Sequence, residues 1–167
     1  TSLGFAALNT VIPTFKMLGG CDINQISAQT YSRNFDTPVI HEDIVRLANE
    51  EGALETLLES IGFDTNKPTI LIGCAPCQGF SSHRKRQWDE EDDVRNSLVM
   101  AFETIDGKIM PDVIDLDNVP EFLSQKYWRY FSAAKKSYQQ LGYTVKEHIY
   151  IAAAFGVPQD RFRTIVF

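Results

Sequence analysis

Two short apolar runs do most to restrict what this chain can fold into. The first, 69–73, lies between Pro68 and Pro76, and the second, 113–116, is followed at once by a polar turn. Short runs that are rich in β-branched residues and bounded by turn signals are typical of strands buried on both faces of a sheet. Both runs are therefore predicted to be inner strands.

Further strands and helices alternate around these two runs. The additional strands are predicted near 39–41, 144–158 and 163–167, and a short extended segment ends at Asp22. The predicted helices cover 5–17, 25–35, 51–63, 97–109 and 127–143, and the charge-dense stretch 83–96 is predicted to be an exposed loop. Strands that alternate with helices in this way predict an α/β domain with a doubly wound, mainly parallel sheet.

Length, charge and cysteine content narrow the class of protein. With 167 residues, of which 44% are hydrophobic, the chain is predicted to form one soluble domain. Its three cysteines are too few for a disulfide scaffold, which favours an intracellular location in the cytoplasm or nucleus. No apolar run is long enough to cross a membrane, so no membrane partner is expected. The formal charge of −6 argues against nonspecific nucleic-acid binding by the whole surface.

Three acidic residues and one cysteine directly follow predicted strands: Asp22, Asp43, Cys77 and Asp117. In open α/β sheets, ligands bind beyond the carboxyl ends of the strands. Each acid taken alone is explained equally well as a solvated loop residue. All four together predict a functional rim at that edge of the sheet.

The sequence Cys74-Ala75-Pro76-Cys77 allows three kinds of chemistry. The spacing fits a redox pair, but the polar and glycine residues that follow are poor helix formers, whereas redox motifs of this kind begin a helix. A zinc site would need a second pair of ligands, and the three histidines are scattered, so no metal is predicted. The third possibility is that Cys77 is a nucleophile. On that hypothesis, Cys74 and Cys21 are predicted to be buried structural residues.

The stretch Pro76-Cys77-Gln78-Gly79-Phe80-Ser81 resembles the catalytic loop of the DNA cytosine C5-methyltransferases. Other elements are similar to that family and occur in the family's order along nearly the whole chain. They are Asp22-Ile23-Asn24, Glu42-Asp43-Ile44, Asp93-Val94-Arg95-Asn96-Ser97-Leu98, Asp117-Asn118-Val119, and Gly156-Val157-Pro158-Gln159-Asp160-Arg161-Phe162-Arg163. The resemblance implies a Rossmann-like methyltransferase fold and a catalytic domain covering residues 1–167.

The resemblance also implies the chemistry. Cys77 would attack C6 of a cytosine flipped out of duplex DNA, which activates C5 to take a methyl group from S-adenosylmethionine. Asp117 would lie beside cytosine N3 and stabilise the charge that develops there. The other catalytic residues implied are Gln159, Arg161 and Arg163. The implied substrate-binding residues are Gln78, Ser81, Arg95 and Asn118, and the basic stretch 83–86 is a candidate for closing over DNA.

The resemblance implies a binding site for S-adenosylmethionine as well. Asp22 would bind the ribose hydroxyls, as the acid at a strand end does in dinucleotide-binding folds. Asp43 and Ile44 would flank the adenine. The remaining implied contacts are Gly4, Ile23 and Pro76, with Gly4 as the tail of the family's glycine-rich opening loop.

Three departures from the family keep alternatives open. Asp117 replaces the family's Glu, which shortens the acid by one methylene, about 1.3–1.5 Å, and a misplacement near 1 Å is worth about 100-fold in rate. The family's first strand and its target-recognition domain are expected to lie outside these residues, on a separate subunit or on the remainder of a longer chain. A non-catalytic binding module and a Cys74–Cys77 redox protein are the alternatives, and RNA is an alternative to duplex DNA as substrate.

Overall fold

The protein is an α/β protein in which residues 2–74, 89–125 and 128–167 are described by a computed structural model. By their internal contacts the residues form two compact units, Thr1–Lys67 and Pro68–Phe167. The α/β class predicted from the alternation of strands and helices is confirmed. Among the described residues, no helix is long and apolar enough to cross a membrane.

The first unit contains two short parallel strands and four helices. Its elements are α1 (Ser2–Asn9), β1 (Gly20–Asp22), α2 (Gln25–Phe35), β2 (Val39–His41), α3 (Ile44–Asn49) and α4 (Ala53–Ser60). Asn24 begins α2 because its side chain accepts hydrogen bonds from the backbone N–H groups of Ile26 and Ser27, which lack partners within the helix. Strands β1 and β2 pair in parallel, with Asp22 beside His41.

The second unit is a four-stranded mixed sheet with two long helices. Its elements are β3 (Ile70–Gly73), α5 (Asp89–Ile109), β4 (Val113–Asn118), α6 (Trp128–Gln140), β5 (Glu147–Ile151) and β6 (Phe162–Val166). The strand order is β3-β4-β6-β5. Strands β3 and β4 are parallel, whereas β6 is antiparallel to both of its neighbours. Two of these three strand pairs are therefore antiparallel, so the sheet is less uniformly parallel than predicted.

One face of this sheet carries the core of the second unit. Phe131 on α6 is 1% exposed and packs with Phe122 and Val166, while Leu116 of β4 lies at the edge of the same cluster. Gly73 faces the same side, because a Cβ built there would lie 2.3 Å from the Phe102 ring of α5. The close approach of that ring explains why the last residue of β3 is glycine.

The prediction of an exposed loop over 83–96 is wrong for residues 89–96, which form the first turns of α5. Acidic residues are favoured in the first turn of a helix, and the sequence supplies them at 89–93. The charged residues 89–96 are therefore part of the helix, although this stretch lacks the apolar period that predicts one. Residues 83–88 lie outside the described part of the chain.

One predicted helix and one predicted turn also differ from the structure. The helix predicted over 5–17 is shorter and earlier, Ser2–Asn9, and the side chain of Asn9 holds the backbone N–H groups of Thr14 and Phe15 in the turn that follows. The acidic turn expected after β2 contains a further helix, α3, which begins immediately after Asp43. An Asp at the position before a helix is a strong start signal that the sequence analysis did not use.

Candidate active site

The second unit has a rim where several sequence-predicted residues meet. The carboxyl ends of β3, β4 and β5 share this rim with the first residues of β6, because β6 runs antiparallel to the other three strands. Cys74 follows β3, Asp117 is the penultimate residue of β4, and Arg163 is the second residue of β6. The rule that ligands bind beyond the carboxyl ends of strands places a candidate site here.

Asp117 and Arg163 form an ion pair at this rim. The Nε of Arg163 lies 3.6 Å from Oδ1 of Asp117, and both side chains are half-buried. This distance is too long for a hydrogen bond, and within the described residues Oδ1 of Asp117 is a buried atom without a hydrogen-bond partner. The carboxylate is therefore held by charge while part of its hydrogen-bonding capacity stays unused.

The sheet register explains why these two residues meet. Asp117 lies directly opposite Ile165, and Arg163 is two residues before Ile165 on the same strand. Opposed residues of an antiparallel pair point to the same face, and alternate residues on one strand do too. Asp117 and Arg163 thus share the face opposite the Phe131 core. Asn118 lies opposite Thr164 on the core face, where both are buried.

Asp115 is a carboxylate of this site that the sequence analysis missed. It shares the strand face of Asp117, is 9% exposed, and has a buried Oδ1 without a hydrogen-bond partner in the described chain. Burial raises the pKa of Asp115 above its usual value, and the negative charge of Asp117 raises it further. The alternation of Asp115 and Asp117 along one strand is the sequence signal that would have predicted a second acid on this face.

The remaining predicted residues of the rim lie in the connection between β5 and β6. A turn of 3-10 helix, Ala152–Phe155, ends at Gly156, whose φ of +81° is a left-handed conformation suited to glycine. Gln159 and Arg161 follow, both exposed, with the backbone N–H of Arg161 bonded to the carbonyl of Gln159. Arg161 and Gln159 are thus on the rim, and the ion pair with Asp117 in the described part of the chain is made by Arg163.

Asp22 ends β1 in the first unit and keeps part of its carboxylate available. Its Oδ1 accepts a hydrogen bond of 2.7 Å from the backbone N–H of Asn24, which closes the turn between the strand and α2. Ile23, between them, is 66% exposed. The second oxygen of Asp22 and the apolar side chain of Ile23 are chemically suited to ribose hydroxyls and a flat ring, respectively.

Asp43 has a structural role that the sequence analysis did not assign. Its Oδ1 accepts a hydrogen bond of 2.8 Å from the backbone N–H of Val45 and thereby starts α3, in which Ile44 is the first residue. Gly4 lies inside α1, and a Cβ built there would meet nothing within 4 Å. The predicted contact of Gly4 with a cofactor therefore has no support from the local geometry.

The two cysteines predicted to be buried are exposed, so that prediction is wrong. Cys21 nevertheless directs its thiol toward the carbonyl of Glu42, at 3.2 Å. Burial of the thiol itself, followed by the charges of Glu42 and Asp22, raises its pKa to about 11. A thiol with so high a pKa is a weak nucleophile at neutral pH.

Four predicted site residues, Pro76, Cys77, Gln78 and Ser81, lie outside the described residues. Arg95 lies on α5, in a stretch for which only the backbone is described. No group of three or more His, Cys, Asp or Glu side chains suited to a metal ion occurs among the residues that the structure describes.

The fold and the rim together define an α/β protein of the methyltransferase class. Residues 1–167 match the model of the C-5 cytosine-specific DNA methylase family, so the chain belongs to that family. It is 30% identical over 157 residues to the Type II methylase M.HgiDII of Herpetosiphon aurantiacus, which covers 94% of this chain and 42% of the relative. It is 31% identical over 152 residues to the Type II methyltransferase M1.HphI of Haemophilus parahaemolyticus, with 90% and 39% covered.

Solved structures show the same fold. A prophage-encoded protein of E. coli that is assigned as a DNA modification methyltransferase superimposes with a TM-score of 0.72 and 25% identity, covering 97% of this chain and 42% of that one. A mutant of Spodoptera frugiperda DNMT2 gives a TM-score of 0.65 at 19% identity, covering 98% and 45%. The chain thus spans about two fifths of the length of the relatives it matches.

Proposed function

We propose that residues 1–167 belong to the catalytic domain of a methyltransferase that methylates C5 of cytosine in duplex DNA. Membership of the C-5 cytosine-specific DNA methylase family supports the reaction class. The single structural observation that carries the proposal is the ion pair between Asp117 and Arg163 at the rim. A carboxylate and a guanidinium held side by side match the alternating donors and acceptors along the edge of a cytosine ring.

Cys77 is the proposed nucleophile. Its thiolate adds to C6 of the cytosine, which makes C5 electron-rich; after C5 is methylated, the C5 proton leaves and the sulfur is expelled from C6. S-adenosylmethionine, when bound, supplies the electrophilic methyl group. The base must leave the helical stack to reach the site, because C6 is shielded inside a duplex.

Asp117 acts beside N3 of the cytosine in this proposal. Electron density moves into the ring toward N3 as the thiolate adds, and a carboxyl group that shares a proton with N3 stabilises that change. Arg163 fixes the Asp117 carboxylate from 3.6 Å, and its planar guanidinium retains N–H donors for the base. Arg161, Gln159, Gln78, Ser81 and Arg95 are proposed to contact the substrate around this centre. Asn118 is left out of this set, because it is buried on the opposite face of the sheet.

The first unit is proposed to bind S-adenosylmethionine. Asp22 has one carboxylate oxygen engaged by the N–H of Asn24, which leaves the other for ribose hydroxyls. Ile23 is exposed beside it, and Ile44 begins α3 after β2. These residues fit the chemistry of a nucleoside, which combines paired hydroxyl groups with a flat apolar ring. Asp43 contributes by holding the start of α3 in place.

A covalent trap tests the proposal. The protein is incubated with S-adenosylmethionine and a duplex pool in which 5-fluorocytosine replaces cytosine, since fluorine cannot leave C5 as a proton does. Mass spectrometry should then find a stable adduct on Cys77 that Cys77→Ser lacks. An adduct from wild type also shows that the shorter Asp117 suffices. If neither wild type nor Asp117→Glu gives an adduct in the full-length protein, the methyltransferase proposal is wrong and the non-catalytic alternative is favoured.

A further inference from the structure

The rim carries a group of aromatic side chains that the proposed chemistry does not use. Phe155, at the end of the 3-10 turn after β5, is 68% exposed, and its ring lies edge-on to Tyr150 with centroids 5.6 Å apart. Tyr150 in turn lies 4.4 Å from the His148 ring, centroid to centroid. These three rings, here called the aromatic row, therefore run from Phe155 in the turn after β5 to Tyr150 and His148 on β5.

The aromatic row lies on the same face as the catalytic ion pair. Tyr150 is directly opposite Arg163 in the antiparallel pair of β5 and β6, and opposed residues point to one face. Since β6 lies between β4 and β5, the face presents three side chains on successive strands: Asp117, Arg163 and Tyr150. An acid, a guanidinium and an aromatic ring thus form one continuous strip.

The exposure of Phe155 is not explained by packing of the described chain. A large apolar side chain that is exposed next to a polar site commonly marks a binding surface. The same rim exposes Val157 and Phe162, while Arg161 lies between these aromatic and apolar residues in the sequence. Aromatic rings interleaved with arginines are the side chains on which unstacked nucleobases pack in proteins that bind single strands.

We propose that the aromatic row is a stacking surface for a second nucleobase of the substrate DNA, next to the cytosine held by Asp117 and Arg163. The inference rests on the proposed function, because flipping one base out of a duplex leaves its neighbours without their stacking partner. Phe155 offers an exposed ring for such a base, Tyr150 supports that ring from the side, and Arg161 supplies a nearby positive charge for the adjacent phosphate. In this proposal the aromatic row contributes to the affinity for DNA, whereas Asp117 and Arg163 contribute to the reaction.

Binding of a labelled duplex pool containing 5-fluorocytosine, measured by fluorescence anisotropy at fixed salt, tests the inference. The variants are Phe155→Ala, Phe155→Trp and, as matched control, Phe167→Ala, an exposed phenylalanine just beyond the far end of β6. Loss of one stacking ring should weaken binding about 10-fold, within the range known for stacked bases. Phe155→Trp should bind as tightly as wild type, and Phe167→Ala should be unchanged.

Two outcomes overturn the inference. Equal affinity of Phe155→Ala and wild type means that no base stacks there, and a lowered melting temperature without weaker binding means that protein covers the ring instead. The Cys77 adduct, measured in the same samples, separates this result from the proposed function. If Phe155→Ala forms the adduct normally and binds with unchanged affinity, the stacking inference is wrong and the proposed function stands. If binding depends on Phe155 but wild type forms no adduct, the stacking inference is supported and the methyl-transfer proposal is wrong.

Discussion

Two aspartates of the second unit, Asp117 and Asp106, each contact a residue far along the chain, yet their surroundings differ. Asp117 is half-buried at the rim, and the Nε of Arg163 lies 3.6 Å from its Oδ1. Asp106 on α5 is 0% exposed and accepts a 2.5 Å hydrogen bond from the hydroxyl of Tyr138 on α6. In the proposed function the first acid meets the substrate, whereas the second joins two helices.

The surroundings of the two acids differ in charge. The guanidinium of Arg163 lies beside Asp117. Burial raises the pKa of Asp106 to about 7; the hydrogen bond from Tyr138 opposes this rise, and the negative charge of Glu103 adds a smaller contribution to it. Asp117 is thus partly exposed beside a positive charge, whereas Asp106 is fully buried beside a tyrosine hydroxyl.

The largest effect is expected at the rim. Asp117→Asn removes the charge that Arg163 contacts and the proton-sharing oxygen, so we expect the single-turnover rate of adduct formation to fall about 100-fold to 1000-fold. The melting temperature should stay within a degree or two, because within the described residues Oδ1 of Asp117 makes no hydrogen bond that the substitution would break. Asp160→Asn, on the same rim but without a described ion pair, is the control and should react at the wild-type rate. A large drop in the melting temperature of Asp117→Asn would instead indicate that the ion pair with Arg163 stabilises the fold.

The second effect concerns the core. Tyr138→Phe leaves Asp106 buried without its hydrogen-bond donor, and an unsatisfied buried polar group costs about 1–3 kcal/mol of unfolding free energy. Urea denaturation at pH 7 measures this loss, and the rate of adduct formation should not change. Tyr143→Phe removes a half-buried hydroxyl that donates to the carbonyl of Pro111. This variant should therefore lose less unfolding free energy than Tyr138→Phe. Equal losses in the two variants would show that Asp106 and Tyr138 are not a special pair.

A third prediction concerns pH. The pKa of Asp106 in the folded protein, about 7, is above the usual 3.8, so the fold favours the protonated acid. Its contribution to stability is therefore fully present below pH 3.8, is lost as pH rises through that value to about 7, and is constant above. Within this window, the difference in unfolding free energy between wild type and Asp106→Asn should change with pH by at most about 1.4 kcal/mol per unit. A difference independent of pH between 4 and 7 would contradict the assignment.

The smallest effect is expected where an ion pair is well formed but solvated. Lys135 on α6 contacts both carboxylate oxygens of Glu147 on β5 at 2.9 Å, and both side chains are more than a quarter exposed. Exposed pairs contribute about 0.2–1 kcal/mol, so Lys135→Gln should shift the urea midpoint only slightly and lose even that in high salt. A loss of unfolding free energy comparable to that of Tyr138→Phe would show that this ion pair stabilises the fold more than its exposure indicates.

The contrast also shows what sequence could and could not predict. The strands 70–73 and 113–118 and the end of α6 before Gly142 followed from local patterns, because apolar period and turn residues act over a few positions. Asp22 and Asp43 also bond to backbone only two residues away, so their geometry is readable in principle from Asp-x-Asn and Asp-x-Val. The contact of Asp117 with Arg163 spans 46 residues and depends on the register of β4 and β6.

Residues that depend on such distant pairing were missed or misplaced. The resemblance to a family singled out Asp117 and Arg163, but no local pattern indicated that Tyr150 lies opposite Arg163. Asp115 was missed although its alternation with Asp117 along one strand is a local signal. The exposure of Cys74 was mispredicted for a similar reason, since a residue just after a buried strand is covered or exposed according to distant neighbours. The charged start of α5 was missed because acidic residues stabilise a helix end without producing an apolar period.

The central claim is that Asp117 and Arg163 act as one unit on the reacting base. A double-mutant cycle of Asp117→Ala and Arg163→Ala, read as the single-turnover rate of Cys77 adduct formation, tests it most directly. Residues that act together are strongly non-additive, so the double variant should react about as slowly as the slower single variant, with a coupling energy above about 1 kcal/mol. If the two losses simply add, the ion pair is not a catalytic unit and the account is contradicted.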